Sequence, residues 1–243
     1  MSLAYPAEIL TVPTGQVLRY ALRGASLPRS STTLVAGAFR AATLSAFHAI
    51  TGGRESFLLS GHEAKGSPDH GHRHAYYLPI FSGDNELTGL LVVSPYERFS
   101  IQEVESLTLV RAIRWGGPNT RVSVELLDPD DRSCFQVATR WVSATPYAPL
   151  RRYWGTSGKH HLAPDRQLID ELSKTIPNLK GAEVTTLSTT RVRIRLTPNA
   201  PPRPQWQLAF NFEFLSTSPI CGPIALGHSC HFGLGLFIPA EQA

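Results

Sequence analysis

The chain has 243 residues, enough to bury one large core or two of roughly 110–120 residues. At 42% hydrophobic and 17% charged, without a low-complexity tract, its composition excludes a disordered or fibrous chain, and no run of about 18 apolar residues suggests a membrane-spanning helix. A net charge of +4, carried far more by arginine than by lysine, raises the case for an anionic partner such as nucleic acid. The opening "MSLAYPAEIL" lacks the basic-then-apolar order of a secretory signal. Cys134, Cys221 and Cys230 form no C-x-x-C pair, so reduced thiols and a cytoplasmic location are expected.

Along the chain, "GQVLRYALRG" (15–24) alternates as a strand does. In the following segment Val35, Phe39, Ala42, Ala46 and Ile50 recur at helical spacing, with Ser30 or Ser31 as the cap and Gly52-Gly53 as the stop. "SFLLSG" and "HAYYLPIF" are short apolar segments, and "LTGLLVVSPY" reads as a buried strand. "SIQEVESLTLVRAIRW" opens with Ser100 and Glu103 in capping-box spacing and carries an apolar stripe of Ile101, Val104, Leu107 and Ile113. "RVSVELL" (121–127) completes a β-α-β-β-α-β order with one strand split, the ferredoxin-like arrangement.

"DPDDRS" (128–133) reads as a polar boundary. "FQVATRWVSATPY" follows as a strand, and "APDRQLIDELSKTIP" as a helix with Pro164 in its first turn and Pro177 as its stop. "TTRVRIRL" and "WQLAFNFEFL" are alternating strands, and the tail "CGPIALGHSCHFGLGLFIP" is rich in glycine and ends as a strand. The expected class is α+β: tandem ferredoxin-like (RRM-like) domains, 1–127 and 128–243, the second carrying a C-terminal glycine-rich loop.

Three stretches can carry chemistry. Arg191, Arg193 and Arg195 alternate with apolar residues, so a strand would set them on one face about 7 Å apart, a spacing that suits successive phosphates. A charged edge strand is the plainer alternative. Gly222, Gly227, Gly233 and Gly235 would let backbone amides approach a phosphate, or simply build a tight turn; the run has neither a P-loop lysine nor a G-x-G-x-x-G before a helix. "HGHRHAYYLP" (70–79) poses a choice between a metal site, an acid–base pair and a solvated loop. His70, His72 and His74, with His62 and Asp69 nearby, have no further ligands at defined spacing, and Cys221, Cys230 and His231 lack a zinc-knuckle spacing. If the segment is extended, His72, His74 and Tyr76 share one face and Arg73 takes the other. Two imidazoles can remove one proton while delivering another, which suits metal-free RNA cleavage through the 2′-hydroxyl.

Several stretches, in order along nearly the whole chain, resemble a known family: "RYALRGASLPRS", "LLSGHEAKGSPDHGHRHAYYLP", "RWVSATPYAPLRR" and "GPIALGHSCHFGLGLFIP". They are similar to the CRISPR-associated RAMP-superfamily endoribonucleases that process repeat RNA, and within them to the processing half of the type I-G (formerly I-U) proteins. That resemblance implies two ferredoxin-like domains and metal-independent cleavage within CRISPR repeats, leaving a 2′,3′-cyclic phosphate and a 5′-hydroxyl. It implies no cofactor and no metal. Type I-G proteins often carry an additional N-terminal half, and by this resemblance the chain is expected to correspond to the processing half alone.

The family's histidine block maps onto His72 and His74, and its glycine loop onto Gly222, Gly227, Gly233 and Gly235. Other branches place the catalytic histidine on the first helix, which would be His48. Where relatives have arginine and aromatic residues before "GLGLF", this chain has His228 and His231. The roles expected are His74 as base, His72 or His48 as acid, and Lys65 or Arg40 against the charged phosphorane, with Tyr76 beside them. Arg73, Arg191, Arg193, Arg195, the glycines and His231 would hold RNA. The expected partners are CRISPR repeat RNA and the other subunits of a surveillance complex, with no membrane. The competing expectation is a non-catalytic RAMP subunit that grips guide RNA.

Overall fold

The computed structural model describes residues 15–61, 74–83, 86–115, 120–150, 162–176, 179, 181–194 and 205–242. The first sheet has five strands, β1 (Gln16–Arg23), β2 (Tyr76–Ser82), β3 (Glu86–Ser94), β4 (Ala112–Arg114) and β5 (Arg121–Asp128), in the order β2-β3-β1-β5-β4. Every pairing is antiparallel, and β2 is an open edge. Strand alternation divides the sheet cleanly. Leu18, Tyr20, Leu22, Tyr77, Leu90 and Val92 turn to one core, where α1 (Thr32–Thr51) and α3 (Ile101–Leu109) cover them.

Helix α1 ends as its glycines foretell, with Gly52 in the left-handed conformation at φ 66°. Its start differs from expectation: Ser31 stands at the cap without a side-chain capping bond, because its hydroxyl donates instead to Pro28 O at 2.6 Å. The most buried face runs Val35, Phe39, Thr43, Phe47, with Thr43 Oγ1 donating to Phe39 O at 3.1 Å; Ala42 packs partly buried against the same core, and Ala46 and Ile50 are half-buried. Arg29–Thr51 is long and apolar enough to cross a membrane by length and composition, but its Val35, Phe39 and Phe47 lie in the core under the first sheet.

Helix α3 is shorter than its apolar pattern suggests. It stops at Leu109, and Val110 turns extended so that Ala112–Arg114 can pair with β5 as β4. Ile113 is thus buried as a strand residue, while Ile101, at the exposed helix start, is 83% accessible. "SFLLSG" forms α2 (Phe57–Ser60), a single turn capped by Ser56, whose hydroxyl accepts Leu59 N–H at 3.0 Å.

The second sheet contains β6 (Val137–Ser143), β7 (Ala182–Ile194), β8 (Gln205–Cys221), β9 (Ile224–Ala225) and β10 (Leu236–Pro239), in the order β7-β8-β6-β10-β9. Helix α4 (Pro164–Thr175) covers one face, burying Leu168 and Leu172 against Trp141, Phe212, Phe214 and Phe237. The unit is ferredoxin-like with one substitution: a glycine-rich connection holding a 3-10 turn at Cys230–Phe232 takes the place of the second helix. The helix-free faces of the two sheets meet through Val17, Leu78 and Val93 on one side and Ala144 and Leu236 on the other. The chain is therefore an α+β protein of two ferredoxin-like units, and its glycine-rich connection lies where the two sheets come together.

Candidate functional site

His74 lies two residues before the first residue of β2 and is 9% exposed. Its ring lies against Gly61, the left-handed cap of α2 at φ 68°; a Cβ there would stand 2.9 Å from the imidazole. The close approach therefore depends on glycine. Ala75 N–H donates to Leu58 O at 2.7 Å, which fixes the entry into β2.

The glycine-rich connection reaches this point from the other sheet. Gly227, Gly233 and Gly235 have φ of 86°, 83° and 58°, and Ser229 also adopts the left-handed region at 62°. These reversals fold Cys230–Phe232 onto β2 and α1, where a Cβ on Gly233 would come within 2.6 Å of Pro79 Cδ and 2.8 Å of Thr32 Cγ2. His231 is thereby laid on His74, with ring centroids 3.8 Å apart, and on Tyr76 at 4.5 Å. His74 and Tyr76 are 6.2 Å apart and nearly parallel, as alternate residues on one strand face should be.

Arg40 of α1 completes the cluster. Its guanidinium donates to Leu59 O at 3.2 Å and to Ser60 O, and lies 5.6 Å from the Phe232 ring. Burial pulls its pKa below the usual arginine value, and no described carboxylate pairs with it. A half-buried cation of this kind, whose partners Ser60 and Phe232 adjoin Gly61 and His231 in the chain, can receive an anionic group.

The four glycines do not present their amides as expected. Gly222 N–H donates to Gln136 O at 2.8 Å, Gly227 to Glu171 Oε2 at 2.8 Å, Gly233 to Cys230 O at 3.0 Å and Gly235 to Pro146 O at 2.9 Å. Each is committed inside the protein, so the glycines shape the loop and leave no amide cradle for phosphate. Gly222 is a packing position: a Cβ there would stand 2.3 Å from the Trp141 ring.

Glu171 and Tyr147 are the residues that sequence reasoning missed. The Glu171 carboxylate accepts from Gly227 N–H and, at 2.6 Å, from Tyr147 O–H, tying the loop to α4. His228 N–H donates to Ala148 O at 2.7 Å, and burial lowers the His228 pKa.

Other expected residues fall elsewhere. His48 is exposed on the last turn of α1, two turns beyond Arg40 and roughly 12 Å further along the axis, so it does not join His74 and His231. His72, Arg73, Lys65 and Arg195 lie outside the described residues, and only the backbone position of Arg193 is described. Arg191 is exposed on β7, which among the described residues pairs only with β8 and lies at the sheet edge. Among the described residues no three His, Cys, Asp or Glu side chains gather to hold a metal ion; His62, Asp69 and His70 are not among them.

No family model matches the chain, and no curated protein is similar to it in sequence. Solved structures do match in fold. One described as a crystal structure of Cas6b is 10% identical with a TM-score of 0.50, over 92% of this chain and 100% of that one. A CRISPR-associated protein Cas6 is 14% identical with a TM-score of 0.47, over 93% of this chain and 100% of that one. A Cas6-related protein from Pyrococcus furiosus is 11% identical with a TM-score of 0.48, over 94% and 99%. The fold of this chain, two ferredoxin-like units with antiparallel five-stranded sheets, matches that of the solved Cas6b structure.

Proposed function

We propose that this chain is a CRISPR repeat-RNA endoribonuclease that acts without a metal, in two domains spanning 1–127 and 128–243. The observation that carries this reading is the His74–His231–Tyr76 cluster, assembled from both sheets beside Arg40. The family resemblance and the Cas6-like fold support the substrate class. One imidazole takes the proton of the 2′-hydroxyl, whose oxygen attacks the adjacent phosphorus. The bond from phosphorus to the 5′-oxygen breaks, and the second imidazole protonates that leaving oxygen, giving a 2′,3′-cyclic phosphate and a 5′-hydroxyl. His74 is assigned as base and His231 as acid, with His72 as the alternative acid. Arg40 and Lys65 are assigned to the charge that develops on the phosphorane.

The test is cleavage of a repeat-containing transcript by the purified protein in EDTA. His74→Ala and His231→Ala are each expected to bind that RNA as the parent does and to cut it about 10²-fold more slowly or worse. Parental rates in both variants, or cleavage abolished by EDTA and restored by zinc, would sink the reading.

A second reading, a RAMP subunit that grips RNA without cutting it, is favoured by two observations. His74 is only 9% exposed, and Arg40 already serves two backbone carbonyls. A parent protein that binds the transcript in that tube and leaves it intact establishes this second reading instead.

A further inference from the structure

Trp206 stands near the start of β8 and is 63% exposed, the most exposed of the described tryptophan, tyrosine and phenylalanine rings. The even-numbered residues of β8 form one sheet face that rises out of the core. Phe214 and Phe212 are 0% exposed, Phe210 is 8%, Leu208 is half-buried, and Trp206 emerges beyond the cover of α4. The strand register sets Arg193 opposite Trp206 and Arg191 opposite Leu208 on the edge strand β7. Residues directly opposite in an antiparallel pair share a face. Arg191 is exposed, and no described carboxylate pairs with it.

A flat indole surface on the same sheet face as an exposed arginine has a specific chemistry. The ring offers a face to any nucleobase, and guanidinium groups take the phosphates on either side of that base. A protein-docking surface needs a broad apolar patch, whereas here one exposed ring stands between Gln205 and Gln207, with Leu208 beside it half-buried. Position adds to the argument. Gln207, the next residue, donates its side-chain amide to Pro149 O, and the adjoining Ala148 O holds His228 of the glycine-rich connection. One short segment thus links the ribbon end to the loop that carries His231.

We infer that Trp206 is a stacking platform for an unpaired base of a single-stranded RNA, with Arg191 on a neighbouring phosphate. The inference rests on the RNA reading above and extends it to a second contact, away from the histidines. It separates recognition of unpaired RNA, at the ribbon end, from whatever His74 and His231 do to the strand.

The test uses the full chain and three probes: an oligoadenylate of about 12 nucleotides, within the span that a single-strand groove tracks, an RNA hairpin without unpaired flanks, and a repeat-containing transcript. Trp206→Ala is expected to weaken oligoadenylate binding about 5- to 100-fold, the usual worth of one stacked base. Trp206→Phe keeps a π-face and should retain most of the affinity, and hairpin binding should not change. Because the ring is exposed, the melting temperature of both variants should match the parent. If the parent binds oligoadenylate and Trp206→Ala binds it equally, the platform is overturned while the RNA reading stands. The platform also falls if the parent binds the transcript but not oligoadenylate, if Ala and Phe lose affinity equally, or if Trp206→Ala only disrupts self-association. A parent that binds none of the three RNAs overturns both readings.

Discussion

Glu171, half-buried, holds two donors at once, Gly227 N–H and the O–H of fully buried Tyr147. Burial is the largest influence on its carboxyl and raises the pKa; the two hydrogen bonds pull the other way without cancelling it. Burial and the neighbouring carboxylate hold the Tyr147 hydroxyl protonated far above its usual value, so it remains a donor. With the folded pKa of Glu171 above the unfolded one, the folded chain binds more protons, and stability declines as pH rises from about the usual 4.5 through the raised folded value. Glu171→Gln has no proton to lose and should remove that part of the decline in urea midpoints measured across the range. Glu171→Ala should cost about 1–3 kcal/mol for each donor it strands. The sequence could not reveal this residue. In "QLIDELSK" an acidic residue at that spacing is what any amphipathic helix shows, and its burial comes from a loop far along the chain. His74 and Tyr76 were legible, because strand alternation is local; the ring contact of His74 with His231 was not, because it depends on where two sheets meet.

At the scale of elements, α2 and α3 are joined by one carboxylate. Glu103 closes the capping box of α3, accepting Ser100 N–H at 2.7 Å, while its other oxygen accepts from the Ser56 hydroxyl that caps α2. The box was readable from Ser100 and Glu103 alone; its second use, anchoring the turn against which His74 lies, required the tertiary fold. Glu103→Ala removes both, and an expected loss of about 1–3 kcal/mol in chemical denaturation would register the cap plus a stranded buried hydroxyl. The end of α3 escaped the sequence pattern for a related reason. Ile113 continues an apolar stripe at helical spacing, yet pairing with β5 offers it equal burial in a strand. The β7 ribbon makes a different prediction. Replacing Arg191, Arg193 and Arg195 together with alanine should weaken repeat-RNA binding at least tenfold. It should also flatten the salt dependence by up to about 2 in log–log slope, about 0.7 for each phosphate that a single strand no longer has neutralised. An unchanged slope in binding titrations across salt would mean that this edge carries charge for solubility alone.

For the molecule as a whole, the consequential feature is that neither sheet holds the histidine cluster by itself. His74 and Tyr76 belong to the edge of the first sheet, and His231 arrives on a connection built into the second. Each sheet keeps its own core, Tyr20, Phe39 and Tyr77 in one and Trp141, Phe212 and Phe214 in the other, so the joint can be loosened without emptying either. Gly233 is the position at which to do it. A Cβ there would collide with Pro79 and Thr32 of the first unit, and φ is 83°, a conformation that a β-branched residue resists. Gly233→Val should therefore lift the 3-10 turn from β2 and separate His231 from His74, while Trp141 and its neighbours stay packed. The expected result is a cooperative melt with near-parental tryptophan fluorescence, and cleavage of repeat RNA slowed about as far as in His231→Ala. Gly235→Val is the contrasting variant. Its Cβ would meet Leu226 O at 1.9 Å within the second sheet, so it should lower the melting temperature as well. If Gly233→Val instead folds and cuts like the parent, the meeting of the two sheets is not what assembles the site, and His74 must find its partner within its own half of the chain.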